Sequence, residues 1–216
     1  MEYVLTGTKT EARAGSYYDK IAALYDLTFK LNGYARSLDQ YFAAHPLPVS
    51  RGANILDAGC GLGLLTLALL RTLHFPVSIT ALDLSSTSIS AARKAVEESP
   101  GRTRDVTFTE GNLLSLPFAD NSLDLVVTSG ALEYVPLAEG MAEVARVIAP
   151  GGYMLHLPCR PSPASSVLEI LFRFKTHPRR EVLGETKRHF RLVHEYRFPP
   201  MHIIGWSKTA MLAKKR

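Results

Sequence analysis

Cysteine is scarce in this chain, with two residues in 216. Cys60 and Cys159 lie far apart and match no metal-ligand spacing. A disulfide framework and a structural zinc site are therefore excluded as organising features; two reduced, buried thiols and no metal are expected. Long apolar runs are missing too. The nearest, "LGLLTLALL" at 62–70, falls well short of the roughly 20 residues of a membrane-spanning helix. The first residues, "MEYVLTGTKTEARAG", mix acidic, basic and polar side chains around no apolar centre, so they do not read as a signal peptide. A cytoplasmic protein is the expectation. No repeat, low-complexity tract or long linker occurs, and no Gly-Lys-Ser or Gly-Lys-Thr marks a P-loop.

What is present is enough for one core. A hydrophobic content of 46% over 216 residues suits one sizeable domain and is short for two. Charge is unevenly placed: residues 1–159 hold 12 Lys/Arg against 16 Asp/Glu, whereas residues 160–216 hold 13 against 4. A basic C-terminal quarter of this kind suits a solvated face, and it also suits weak contact with an anionic membrane surface. Charge by itself is not a nucleic-acid motif, so nucleic acid is not expected as a partner.

Short β-rich runs alternate with helical stretches. Residues 53–59, 77–84, 106–112, 123–130 and 152–159 read as strands. Helices follow the first at 64–72 and the second after a cap at Ser85 or Ser86. Another precedes Pro150, with Met141, Val144, Val147 and Ile148 on its apolar side. Residues 17–45 read as one or two helices. Ser162 and Pro163 start a helix through "ASSVLEILFRFK", while "KTHPRREVLGETKRH" shows no clear period. "FRLVHEYRF" and "SKTAMLAKK" form an antiparallel edge hairpin across a gap of a few residues. The expected fold is α/β: a doubly wound, mostly parallel, seven-stranded Rossmann-like sheet in an α/β/α sandwich.

In "ILDAGCGLGLL", residues 55–65, three glycines alternate directly after the first strand. Gly59, Gly61 and Gly63 let the backbone approach a ligand closely, and in such sheets ligands sit at the carboxyl ends of the strands. The dinucleotide pattern G-x-G-x-x-G requires a small residue where this chain has Leu64. Asp57, two residues before the first glycine, repels phosphate and welcomes a cationic or zwitterionic group.

The strings "LDAGCGLG" (56–63), "ALDLSSTSISAARKA" (81–95), "GNLLSLPFADNSLDLVV" (111–127) and "EVARVIAPGGYMLH" (143–156) occur in that order. The chain resembles, over about residues 17–159, the class I S-adenosylmethionine-dependent methyltransferases, in the branch that acts on small molecules and lipids. The resemblance implies S-adenosylmethionine as methyl donor and S-adenosylhomocysteine as product. Asp57 would orient the donor's methionine end, and Gly59 and Gly61 would let the loop pass close to its sugar and amino-acid parts. Asp83 would accept hydrogen bonds from both ribose hydroxyls, beside Leu84. Asn112 stands where the family usually has an aspartate reading adenine, and its amide oxygen can still accept. Leu113 would offer an apolar face to the ring, and Ser129 and Gly130 would line the methionine side. The N-terminal residues 1–48 would form a helical lid carrying Tyr17, Tyr18 and Tyr25, with Tyr18 reaching the donor. Residues 53–159 would form the donor-binding core, and residues 160–216 the acceptor side.

Methyl transfer needs alignment and exclusion of water, and a base only where the acceptor is protonated. Glu133, Tyr134 and His156 lie in the right region by topology, each with a packing or capping alternative. A nicotinamide-dependent oxidoreductase and a non-catalytic donor-binding module are the competing readings. Neither the acceptor atom nor the oligomeric state is expressed in the motifs.

Overall fold

The computed structural model describes residues 33–99, 105–162, 165–166, 169–170, 173–199 and 207–216. In chain order the elements are α1 (Tyr34–Ala44), β1 (Asn54–Ala58), α2 (Leu64–Thr72), β2 (Ser78–Asp83), α3 (Ser86–Glu97), β3 (Val106–Glu110) and β4 (Leu123–Ser129). After a 3₁₀ turn (Leu132–Tyr134) come α4 (Leu137–Val147), β5 (Ile148–Leu157), α5 (Arg179–His189), β6 (Phe190–Arg197) and β7 (Thr209–Lys215). The strands make one seven-stranded sheet in the order β3-β2-β1-β4-β5-β7-β6. β1 to β5 are parallel, and β7 runs antiparallel to both β5 and β6. This is the expected doubly wound sheet with an antiparallel edge pair. The order reverses between β1 and β4, so a cleft opens beyond the carboxyl ends of those two strands.

Local chemistry accounts for the helices. Ser85 caps α3, its hydroxyl accepting from the Ser88 N–H at 3.1 Å. Ser162 does the same for the helical residues at 165–166, accepting from the Ser165 N–H at 3.0 Å. Alternation of side chains along each strand sorts the core into two layers. On one face Ile55, Leu125, Val127 and Leu155 pack against Leu38, Tyr41 and Phe42 of α1 and Leu65 and Leu69 of α2. On the other, Leu56, Val126, Met154 and Met211 pack against Met141 and Val144 of α4 and Val182 of α5.

Four features differ from the sequence-based expectation. α4 ends at Val147, before Pro150, because Ile148 already pairs with Leu123; β5 therefore starts well ahead of residue 152. The register shift opposite Leu123 and Leu125 accommodates Pro150 and Gly151 in the strand. The stretch without a period contains α5, which buries only Val182 and Thr186 and so carries no apolar stripe to detect. The two edge strands are separated in the chain by residues 198–208, and β7, the later of the two, lies beside β5 with β6 outside it. Both cysteines are free, Cys60 buried and Cys159 partly buried. Among the described residues no helix is long and apolar enough to cross a membrane.

Met141 is fully buried in the α4 layer. Met141→Ala should lower unfolding free energy by about 2–5 kcal/mol in a urea titration. Val193→Thr, at a position 50% exposed on β6, should change it by less than about 0.5 kcal/mol.

Candidate active site

The loop after β1 is shaped by its glycines at two points. Gly59 has φ +74°, and a Cβ there would stand 2.2 Å from the Cβ of Ala131, so the loop closes directly on the segment that follows β4. Gly61 has φ +52° and faces open space, since a Cβ there meets nothing within 4 Å. Backbone approach by a ligand is therefore possible at Gly61.

Two carboxylates flank this loop. Asp57 is 1% exposed, and its Oδ2 accepts from the Thr66 hydroxyl at 2.5 Å. Its Oδ1 is buried without a hydrogen-bond partner. Burial pushes the Asp57 carboxyl up to about 7, against the lowering effect of the Thr66 hydrogen bonds. Such an oxygen is completed by a ligand donor, best by a cation. Asp83, at the end of β2, accepts from the Gly61 N–H at 2.8 Å through Oδ2 and from the Ser85 N–H at 3.0 Å through Oδ1. Burial raises its proton affinity while these N–H groups lower it. The carboxylate thus ties the β1 loop to the start of α3, and the Leu84 N–H adds to the backbone groups that lower its proton affinity.

Beyond β3, Asn112 Oδ1 accepts from the Leu114 N–H at 2.9 Å, which holds the turn and commits one lone pair of the amide oxygen. Leu113 is buried against the α4 layer, and Leu84 is half-buried. The following turn is clamped by α4. Arg146 donates to the carbonyls of Leu116 (3.0 Å) and Phe118 (2.9 Å) and to Asp120, while Glu143 accepts from the Leu116 N–H at 2.7 Å. The Leu-Pro-Phe string and the Arg-Val-Ile string of the sequence are two sides of this clamp.

Ser129, at the end of β4, shares a 2.7 Å hydrogen bond with the Tyr34 hydroxyl of α1. Glu133 is 4% exposed; its Oε1 accepts from the Cys159 N–H at 2.5 Å and its Oε2 is buried without a partner. Tyr134 is half-buried with its ring 5.8 Å from that of Phe174. His156 pairs with Thr128 in the β4–β5 register and by alternation points to the α4/α5 face. Both its nitrogens are buried without partners, and burial drives it down to about 3, so it stays neutral. Tyr17, Tyr18 and Tyr25 lie outside the described residues. Among the described residues no group of three His, Cys, Asp or Glu is placed to hold a metal.

The structure therefore brings Asp57, Gly59, Gly61, Asp83, Leu84, Asn112, Leu113, Ser129 and Glu133 to the carboxyl edge of one sheet. Two residues that sequence reasoning missed join them. Tyr34, at the start of α1, reaches Ser129 at the end of β4 from 95 positions away in the chain. Lys208 lies in a basic stretch that reads as a solvated strand end, yet it is 3% exposed. Nothing in the local sequence distinguishes it.

With this strand order, and an acidic residue near the carboxyl end of each of β1 and β2, the sheet is a doubly wound α/β fold with its cleft beside two carboxylates. Residues 55–152 match the family model described as a methyltransferase domain. Demethylmenaquinone methyltransferase of Desulfitobacterium hafniense is 31% identical over 159 residues, 70% of this chain and 60% of that protein. Phthiotriol/phenolphthiotriol dimycocerosates methyltransferase 1 of Mycobacterium ulcerans is 38% identical over 112 residues, 51% of this chain and 39% of that protein. The chain thus spans less than two thirds of the length of these relatives. In fold it is similar to geranyl diphosphate C-methyltransferase from Streptomyces coelicolor, with a TM-score of 0.70 at 16% identity, covering 84% of this chain and 76% of that one. Over residues 55–152 the chain is thus similar to methyltransferase domains, and its sheet shares their topology.

The raised Asp57 has a thermodynamic signature. Its folded-state value lies above the unfolded one, so its contribution to stability is complete below about pH 4 and is lost as pH rises through about 7. In the ligand-free protein, Asp57→Asn should therefore gain stability relative to wild type between those limits, by up to ~4 kcal/mol. Urea unfolding of both proteins from pH 4 to 8 measures it, and parallel curves would refute the assignment.

Proposed function

We propose that the chain transfers a methyl group from S-adenosylmethionine to a small-molecule or lipid acceptor. The observation that carries this reading is the buried, unpartnered Oδ1 of Asp57, set beside a loop whose Gly61 backbone faces open space. A donor with an ammonium group and a ribose fits that pair of features. The relatives named demethylmenaquinone and phthiotriol methyltransferases support an acceptor of that class.

When bound, the cofactor supplies a methyl group already activated on a sulfonium, so the chain's own task is alignment and exclusion of water. Asp57 holds the ammonium through the free oxygen and keeps its carboxylate ionised in doing so. Asp83 accepts the ribose hydroxyls with the lone pairs left over from Gly61 and Ser85. Leu84 and Leu113 flank the adenine, and Asn112 meets its edge. Ser129, oriented by Tyr34, lines the methionine end. Glu133 is the residue best suited to take a proton from an acceptor, since one of its oxygens is anchored and the other is free. His156, neutral and on the α4/α5 side of the sheet, is a weak base. Tyr134 borders the acceptor side.

In this reading residues 1–216 act as one domain, with 1–48 as lid, 53–159 as donor-binding core and 160–216 on the acceptor side. The lid brings Tyr18 to the donor. The protein works in the cytoplasm, and the basic excess after residue 160 supports weak contact with anionic membrane surfaces.

Calorimetric titration with S-adenosylhomocysteine tests the core of the proposal. Wild type should bind, and Asp83→Ala, checked for folding by circular dichroism, should lose about tenfold or more in affinity, as expected for charge-assisted hydrogen bonds. Absent binding by wild type, or unchanged affinity in the variant, would sink the reading.

A further inference from the structure

Cys159 and Lys208 face each other where the chain returns to the sheet. The Arg160 N–H donates to the Ser207 carbonyl at 2.7 Å and the Thr209 N–H to the Pro158 carbonyl at 3.3 Å. Between these two bonds an isolated antiparallel bridge pairs Cys159 with Lys208. Bracketed in this way they form a non-hydrogen-bonded pair, the closer of the two antiparallel kinds, with Cα atoms about 4.5 Å apart and side chains on one face. The side chains meet as well. The Lys208 ammonium hydrogen-bonds with the Cys159 thiol, donates to the Leu157 carbonyl at 3.4 Å and lies 6.0 Å from the centroid of the Tyr34 ring. A Cβ on Gly130 would stand 2.8 Å from Nζ, so the amine end is boxed in beside the sulfur.

A carboxylate completes the cluster. Glu133 takes the Cys159 N–H on Oε1 at 2.5 Å and shares a side-chain hydrogen bond with the Cys159 thiol, while its Oε2 is buried without a partner. Sulfur, amine nitrogen and a proton acceptor thus stand together, with Tyr34 of α1 the remaining titratable group beside the thiol. The other cysteine has no such company. Cys60 is buried against the Gly61 carbonyl, and burial together with Asp57 and Asp83 pushes its thiol up. Cys159 is only partly buried. Burial pushes its thiol up to about 11, against the lowering effect of the Lys208 ammonium, so it rests as a thiol at neutral pH.

We propose that Cys159 and Lys208 are a modification site, joined by a reversible sulfur–nitrogen link when the protein meets a peroxide. Neither methyl donor nor acceptor takes part, so the site stands independently of the methyltransferase reading. The sulfur attacks the peroxide as its thiolate. The S–O bond forms, the O–O bond breaks, a water leaves and the thiol has become a sulfenic acid. Lys208 gives one ammonium proton to Glu133 Oε2, and the freed electron pair forms the N–S bond as the S–O bond breaks. A second water leaves with another proton of the amine. Sulfur is oxidised by two electrons and the peroxide reduced by two. In sum, thiol, ammonium and hydrogen peroxide become the S–N link, two waters and the proton that Glu133 passes to solvent. A dithiol reductant reverses the step and is itself oxidised to a disulfide. The link fastens the segment entering β7 to the end of β5 and converts a buried ammonium into an uncharged nitrogen.

The test treats the full chain with hydrogen peroxide and reads it by intact mass spectrometry and peptide mapping. Wild type should lose the mass of two hydrogens and yield a peptide pair joined through Cys159 and Lys208, with Cys60 still a free thiol. Dithiothreitol should restore the starting mass. The rate should rise about tenfold per pH unit from about pH 7 to about pH 10, as the thiolate fraction does. Cys159→Ser should keep its mass, and Lys208→Met should gain oxygen at Cys159 without forming a link. Oxygen added to Cys159 of wild type with no link to Lys208 overturns the proposal. So does a disulfide, whether between Cys60 and Cys159 or between two chains, and so does the same loss of mass in Lys208→Met. Should Lys208→Met fail to fold, the peptide map of wild type decides the matter by itself, because it names the two residues joined.

Discussion

The site depends on one carboxylate used as a structural fastener. Asp83 accepts the N–H groups of Gly61 and Ser85 and so joins the loop after β1 to the start of α3. Without that bridge, a loop built of alternating glycines has little to hold it, since glycine surrenders more conformational freedom on ordering than any other residue. The bridge also explains how a residue can serve fold and ligand together. Backbone donors on both oxygens orient the carboxylate at the end of β2. Ser85 then caps α3 with its own hydroxyl, so the helix start and the loop tie are set by neighbouring residues.

Around this fastener the protein places polarity where a core would normally be apolar. Asp57, Glu133, His156 and Lys208 are each under 5% exposed at the carboxyl side of the central strands. Asp57 and Glu133 retain an oxygen with no partner, and His156 two such nitrogens. Groups of this kind are destabilising unless a guest completes them, which is the usual relation between a binding site and the stability of its scaffold. The apolar layers on the two sheet faces, together with the Arg146 clamp on the Leu116–Phe118 turn, supply the rigidity against which that polarity is held.

Much of this is legible in the linear chain. The strands β1 to β4 and helices α2 and α3 follow from runs of apolar residues with caps and glycines at their ends, because those signals are local. Asp57, Asp83 and Asn112 are legible because each lies within two residues of a strand's carboxyl end, and the topology sends such positions to one edge. The end of α4 is not, because strand pairing of Ile148 outweighs the breaking signal of Pro150. α5 is invisible because a helix that buries two side chains leaves no stripe.

Short-range periodicity, and motifs whose members are neighbours in the chain, suffice for the sheet, its parallel core and the residues at the carboxyl ends of β1 to β3. No such local signal announces that Tyr34 meets Ser129, that Glu133 is anchored by Cys159 or that Lys208 is buried beside Gly130. The first of these contacts joins residues 95 positions apart and the second residues 26 apart. The burial of Lys208 exists because β7 inserts between β5 and β6. A lysine in a basic tail looks like solvent-facing charge until the chain folds back and removes the water from it.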